Sequence, residues 1–296
     1  MPILHDFEYV KPETVAEAVA VLSRHGADAA VLAGGTDLVG WMRDEIVAPK
    51  VVVDIKSVPE LCAITRDDGC LRIGAALTLN AIRRDAEVNR LFPVLVEAAG
   101  RVGSCGLRNR ATLVGNICSA VPCCDGGPPL LILEAQVELA GPGGLRHVPV
   151  TEWFIEKRRT ARAADELVTA VRIPLPAESH GAAYIKLGRY RGEDLAQASV
   201  AVLALPGHVR RIAFGALAAR PCRAGKLEAL LAGRPLTDAL IDEAKRLLDQ
   251  EITPITDVRA TKEYRRLATT VMLERALRAA DDRLAGRGPE YGVRLI

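Results

Sequence analysis

The spacing of apolar and polar positions divides the chain into elements. Val15, Ala18, Val19 and Leu22 recur at the period of one helical face, with Thr14 and Glu17 placed as a T-x-x-E capping box in front and Gly26 as a stop behind. The pattern then changes to unbroken apolar runs, AAVL at 29–32 and PKVVVDI at 49–55, which read as buried strands. A helix and two strands this close together predict a small α/β unit. CLRIGAALT at 70–78 reads as another strand, Thr78 as the cap of a helix through Ile82 and Val88, and PVLVEAAGRVG at 93–103 as a helix closed by glycine. Residues 107–131 lose periodicity and are rich in Gly, Asn, Ser, Cys and Pro. That predicts a long irregular segment, of the kind that carries function. A hairpin turning at 141–144 and a strand at 165–174 stopped by proline follow.

Near 174–182 the composition shifts to turn formers, which sets the expected domain boundary: 1–176, with subdomains of about 1–55 and 56–176, and then 177–296. Beyond the boundary, apolar runs at 182–190, 196–205 and 211–219 have short connections, so a three-stranded antiparallel meander is expected. The remainder reads as helical, ending in a long helix whose Leu267, Val271, Leu273 and Leu277 lie near helical spacing.

Composition narrows the function classes. At 296 residues, 49% hydrophobic and 26% charged, the chain is an ordinary globular protein of about two domains. A net charge of +2 leaves no electrostatic footprint for nucleic acid, with basic runs limited to short ones such as Lys157-Arg158-Arg159. No apolar run approaches the roughly 18 residues of a membrane helix, and the N-terminus lacks the order of a signal peptide, so a cytoplasmic location is expected. Seven cysteines at irregular spacing suggest reduced thiols more than a disulfide framework.

Two loops carry the candidate chemistry. VLAGGTDL at 31–38 breaks a strand at paired glycines and ends in a hydroxyl and a carboxylate, a turn able to point several backbone N–H groups into one concavity. The same pattern also suits a plain tight turn, and it lacks the G-x-G-x-x-G spacing. In the second loop, Thr112, Gly115 and Asn116 provide a hydroxyl, close approach and an amide, and Asp125 follows with a carboxylate for a sugar or ribityl hydroxyl, or for capping a helix near 126–129. Two such loops suggest the two phosphates of one dinucleotide, although two ordinary turns fit the spacing as well. The five histidines are scattered, and no Ser-His-Asp order or zinc-ligand spacing is present. No residue is assigned to catalysis or to a metal.

LAGGTDL at 32–38, RNRATLVGNICSAVPCCD at 108–125, DELVTAVRIP at 165–174, YIKLGRYRGEDLAQASVAV at 184–202 and TDVRATKEYRR at 256–266 together resemble the FAD-binding medium subunit of the molybdenum hydroxylases, which include bacterial xanthine dehydrogenase and aerobic carbon monoxide dehydrogenase. The resemblance runs nearly end to end. It implies an α+β fold: a two-subdomain FAD-binding domain of the vanillyl-alcohol-oxidase type, followed by a smaller domain of antiparallel sheet and helices. It places the FAD pyrophosphate on Leu32, Ala33, Gly34, Gly35, Thr36, Asp37 and Leu38 and on Thr112, Gly115 and Asn116. Asp125 falls at the ribityl–phosphate region, Val168 and Lys186 near the isoalloxazine, and the turn Arg191, Gly192, Glu193, Asp194 with Leu195 at the ring's exposed side. Val114 departs from the glycine often found there, and its Cβ must turn away from the phosphates for the loop to work.

The implied function is that of an oxidoreductase subunit. FAD in this chain takes electrons from the [2Fe–2S] clusters of a small partner subunit, which receive them from a molybdenum cofactor in a large subunit, and passes them to an external acceptor. A dimer of heterotrimers is the implied assembly. A free-standing FAD oxidoreductase and a non-redox nucleotide-binding scaffold are the alternatives. In the related 4-hydroxybenzoyl-CoA reductase this subunit carries an additional cluster whose first ligand falls at Cys118; with no cysteine-rich insertion here, Cys105, Cys118, Cys123 and Cys124 are expected to be small buried thiols.

Overall fold

The computed structural model describes residues 2–190 and 192–296. The chain opens as a parallel sheet in which β1 (Glu8–Val10), β2 (Ala29–Leu32) and β3 (Val51–Asp54) stand in the order β1-β3-β2. Parallel neighbours need crossovers, and α1 (Val15–His25) and α2 (Leu38–Arg43) supply them. Thr14 caps α1 by accepting the Glu17 N–H, and Gly26 ends it at φ 53°. The Glu17 carboxylate reaches the Glu13 N–H, one residue earlier than the capping box requires.

A second, antiparallel sheet follows, built of β4 (Ile64–Asp67), β5 (Cys70–Gly74), β6 (Gln136–Gly141), β7 (Gly144–Pro149) and β10 (Leu167–Pro174) in the order β4-β5-β10-β6-β7. Thr78 caps α3 (Leu79–Arg84), but this helix stops at Asp85, whose carboxylate caps a separate α4 (Ala86–Leu91), so the single expected helix is two. After α5 (Pro93–Gly100), the segment expected to be irregular holds three short helices, α6 (Cys105–Arg108), α7 (Leu113–Cys118) and α8 (Gly127–Ile132). Ser104 and Thr112 cap the first two through their hydroxyls; α8 has Gly126 at its N-cap and no side-chain cap, so Asp125 is not spent there. The expected hairpin is β6 and β7, after which α9 (Val150–Trp153), the small hairpin β8 (Phe154–Glu156) and β9 (Arg159–Thr160), and β10 complete the domain.

The third sheet is an antiparallel meander of β11 (Gly181–Leu187), β12 (Ala198–Leu205) and β13 (Val209–Gly215), with a fourth strand, β14 (Cys222–Arg223), beyond the three expected. Alternate residues enter different cores. Ala182, Tyr184, Ala201 and Leu203 pack with the first two sheets, whereas Ala183, Ile185, Val200 and Val202 pack with α10 (Gly225–Leu231), α11 (Asp238–Leu247) and α12 (Lys262–Leu284). Burial on both faces explains the continuous apolar runs of these strands and makes the sheet a wall common to both halves. On α12 the buried stripe is Thr269, Leu273, Ala276 and Ala280 with Met272 and Leu277, whereas Leu267 and Val271, expected on that face, are 67% and 40% exposed. Two residues are about 200° of helix, so 267 and 271 lie opposite 269 and 273.

Candidate functional site

The backbone turn after β2 is built by its two glycines in different ways. Gly35 has φ +75°, a left-handed conformation that side chains resist. Gly34 meets the other loop: a Cβ there would lie 2.0 Å from the Arg110 carbonyl oxygen. The first loop therefore lies directly against the backbone that leads into the second. There, Thr112 Oγ1 accepts the Gly115 N–H at 2.9 Å, and Asn116 Oδ1 accepts the Gly126 N–H at 2.8 Å, tying α7 to the turn before α8. Val114 is 4% exposed and packs into the core while also bordering the site.

Both loops line one cleft of about 900 Å³, within the roughly 300–1,000 Å³ of small-molecule and cofactor sites. Ala33, Gly34, Gly35, Thr36, Asp37 and Leu38 border it, as do Thr112, Gly115, Asn116, Asp125, Val168 and Lys186. Leu32 does not; its side chain sits under Gly35. Glu193, Asp194 and Leu195 also line the cleft, and Arg191 lies outside the described residues. Asp37 keeps contact with water, yet the protein around it raises its carboxyl pKa by desolvation, opposed by a Ser119 hydrogen bond and the Arg158 charge.

Asp125 and Lys186, distant in sequence, meet here. Lys186 Nζ donates to Asp125 Oδ2 at 2.7 Å and to the Arg101 carbonyl at 2.9 Å, with both side chains almost fully buried. Tyr184, two residues before Lys186 and on the same face of β11, donates its hydroxyl to Asp125 Oδ1 at 2.7 Å. Burial pushes the Asp125 pKa up, while the charge and hydrogen bond of Lys186 and the bond from Tyr184 pull it down. The Tyr184 phenol is pushed well above its ordinary range by burial and by Asp125. Each Asp125 oxygen keeps a lone pair for a further hydroxyl. The positive charge of Lys186 is thus offset within the protein.

Sequence reasoning missed Tyr184, Trp41, Arg162 and Arg259, all of which border the cleft or brace a residue that does. Alternation along β11 pointed from Lys186 to Tyr184, and Arg259 stood inside a recognised motif. Arg259 Nη1 and Arg189 Nη2 share Asp194 Oδ1, at 3.0 and 3.3 Å. Cys118, Cys123 and Cys124 also line the cleft, with the Cys118 thiol pushed up to about 12 by burial. All seven cysteines are unpaired; of the four expected to be buried, Cys124 is, Cys118 and Cys123 are partly so, and Cys105 is exposed at the start of α6. Among the described residues no group of three or more His, Cys, Asp or Glu side chains is placed to hold a metal ion.

A cleft of cofactor size lies between a glycine turn and a capped helix, with β11 of the third sheet on its wall, the arrangement of a cofactor-binding protein. Residues 5–176 match the family model described as the FAD binding domain in molybdopterin dehydrogenase, and residues 182–280 match the CO dehydrogenase flavoprotein C-terminal domain. The carbon monoxide dehydrogenase medium chain of Afipia carboxidovorans is 32% identical over 94% of this chain and 97% of its own. The xanthine dehydrogenase FAD-binding subunit of Escherichia coli O157:H7 is 30% identical over 95% of this chain and 100% of its own. Among solved structures, the cyanide-inactivated Cu,Mo-CO dehydrogenase superposes with a TM-score of 0.91 at 32% identity, covering 95% of this chain and 100% of that one. The chain belongs to the FAD-binding subunit family of the molybdenum hydroxylases. Its fold and its cofactor, FAD, follow from that membership, and among the described residues no helix is long and apolar enough to cross a membrane.

Proposed function

We propose that this chain is the electron-transferring flavoprotein of a three-component molybdenum hydroxylase. It takes electrons from the [2Fe–2S] clusters of a small subunit, themselves supplied from the molybdenum cofactor of a large subunit, and delivers them to an external acceptor in the cytoplasm. A dimer of heterotrimers is the assembly this role suits. The observation that carries the reading is the single cleft on which both loops, Asp125, Val168 and Lys186 converge. Bound FAD would supply the redox chemistry.

The protein's part is to hold and orient. Backbone N–H groups of the two loops would receive the pyrophosphate, with Gly34 letting the first loop lie against the Arg110 backbone, Gly35 making the left-handed turn and Thr112 fixing the turn into α7. Asp125 offers its remaining lone pairs to ribityl hydroxyls, and Lys186, held by Asp125 and Arg101, presents an offset charge near the ring. Mixing this chain with the large and small subunits should give substrate-driven reduction of an artificial acceptor, and omission of any one should abolish it. Full turnover by this chain alone would refute the three-component reading in favour of a free-standing oxidoreductase.

A further inference from the structure

The two loops assigned to the pyrophosphate contain no Lys or Arg among their lining residues, and they contribute the carboxylate of Asp37. The Arg158 charge acts on Asp37, and a diphosphate held by backbone N–H groups would add negative charge that a further cation on the cleft wall would offset. Four cationic side chains line the cleft among the described residues, and three are committed: Lys186 to Asp125 at 2.7 Å, and Arg189 and Arg259 to Asp194 at 3.3 and 3.0 Å. The fourth is Arg162. Its Nη1 donates to the carbonyls of Glu166 at 2.6 Å and Ala164 at 3.4 Å, and among the described residues no carboxylate pairs with its guanidinium. The Glu166 carboxylate is occupied by Arg146, whose Nη2 lies 2.7 Å from Oε2.

The hairpin that leads to Arg162 is fastened to the elements that follow the two loops. In this β8–β9 hairpin Arg158, at φ +62°, donates its N–H to the Ala120 carbonyl at 2.9 Å, just past α7. The Arg158 guanidinium lies 5.0 Å over the Trp41 ring of α2, the helix that follows the first loop. Arg162 is thus a half-buried cation, pinned through one nitrogen and leaving donors over, just past a hairpin braced against the elements that follow the two turns.

We propose that Arg162 is a cofactor-binding residue whose charge neutralises the diphosphate of FAD, with the β8–β9 hairpin as a third element of the clamp. The inference rests on the FAD reading of the cleft. The test titrates the flavin-free full chain with FAD and, separately, with riboflavin, which has no phosphate. Arg162→Gln keeps an N–H donor for the Glu166 carbonyl but loses the charge, and Arg162→Lys restores a charge. With folding checked by circular dichroism, R162Q should weaken FAD by about tenfold or more, R162K by less, and riboflavin affinity should be the same in all three proteins. FAD affinity unchanged in R162Q would overturn the proposal, and so would a parallel loss of FAD and riboflavin, which marks a structural role. Failure of the wild-type chain to take up FAD at all would instead refute the underlying reading of the cleft.

Discussion

Substituting Gly34 with Ala probes the contact on which the cleft depends. The added methyl would stand 2.0 Å from the Arg110 carbonyl oxygen, 2.6 Å from its carbon and 2.9 Å from the Ala111 Cα. An ordinary carbon–oxygen contact is about 3.3 Å, so the loops must part by about 1.3 Å. Every obstructing atom is backbone, and no side chain can swing aside. Overpacking of this kind costs about 1–3 kcal/mol. Because the cofactor is held between the two loops, that strain should appear in binding, as a loss of roughly five- to hundredfold in FAD affinity. Fluorescence titration of the flavin-free chain measures it, alongside a thermal melt. Gly40→Ala is the control: nothing lies within 4 Å of a Cβ there, and Ala in place of a helical glycine should stabilise by about 0.5–1 kcal/mol without changing FAD affinity. If Gly34→Ala bound FAD and melted like the wild type, the apposed-loop account would be wrong.

Asp125→Asn should destabilise the chain by about 3–5 kcal/mol, because Lys186 keeps a buried charge without its carboxylate. The double variant with Lys186→Met should recover part of the loss, and additive melts for the two substitutions would refute the coupling. Glu166 gives a pH signature. The Arg146 guanidinium and the Ala163 N–H hold its carboxyl below the usual range against partial burial, so the unfolded chain binds more protons than the folded one between the two pKa values. Its contribution is therefore full above the unfolded value of about 4.3 and is lost as pH falls through the lower folded value. Glu166→Gln should lower stability at pH 7 and flatten its fall below about pH 4, and denaturation midpoints with an unchanged acid limb would refute this.

Local features of the fold were legible where the chain speaks for itself: the β2 strand followed by paired glycines, the Thr14 cap, the hairpin at 141–144, and the meander after 180. A helix near 126–129 was among the readings of Asp125 and stands as α8, but α6 and α7 were not legible, because each spans at most six residues and shows no amphipathic period; their signals are the caps Ser104 and Thr112. The face of α12 was misread since its buried stripe uses Thr269 and alanines while large apolar residues, Leu267 and Val271, point outward. At the site, the residues pointed to both loops and the family resemblance to Lys186, and all three border one cleft. The sequence could not show that Lys186 and Asp125, 61 residues apart, form one buried pair, or that Tyr184 completes it, since those contacts exist only once the third sheet has packed onto the first domain.

The most direct test of the central claim is the identity of the flavin released when the purified chain is heat-denatured. FAD, in place of FMN and near one per chain, is the expected product. Recovery of no flavin, even after incubation of the folded chain with excess FAD, would contradict the account.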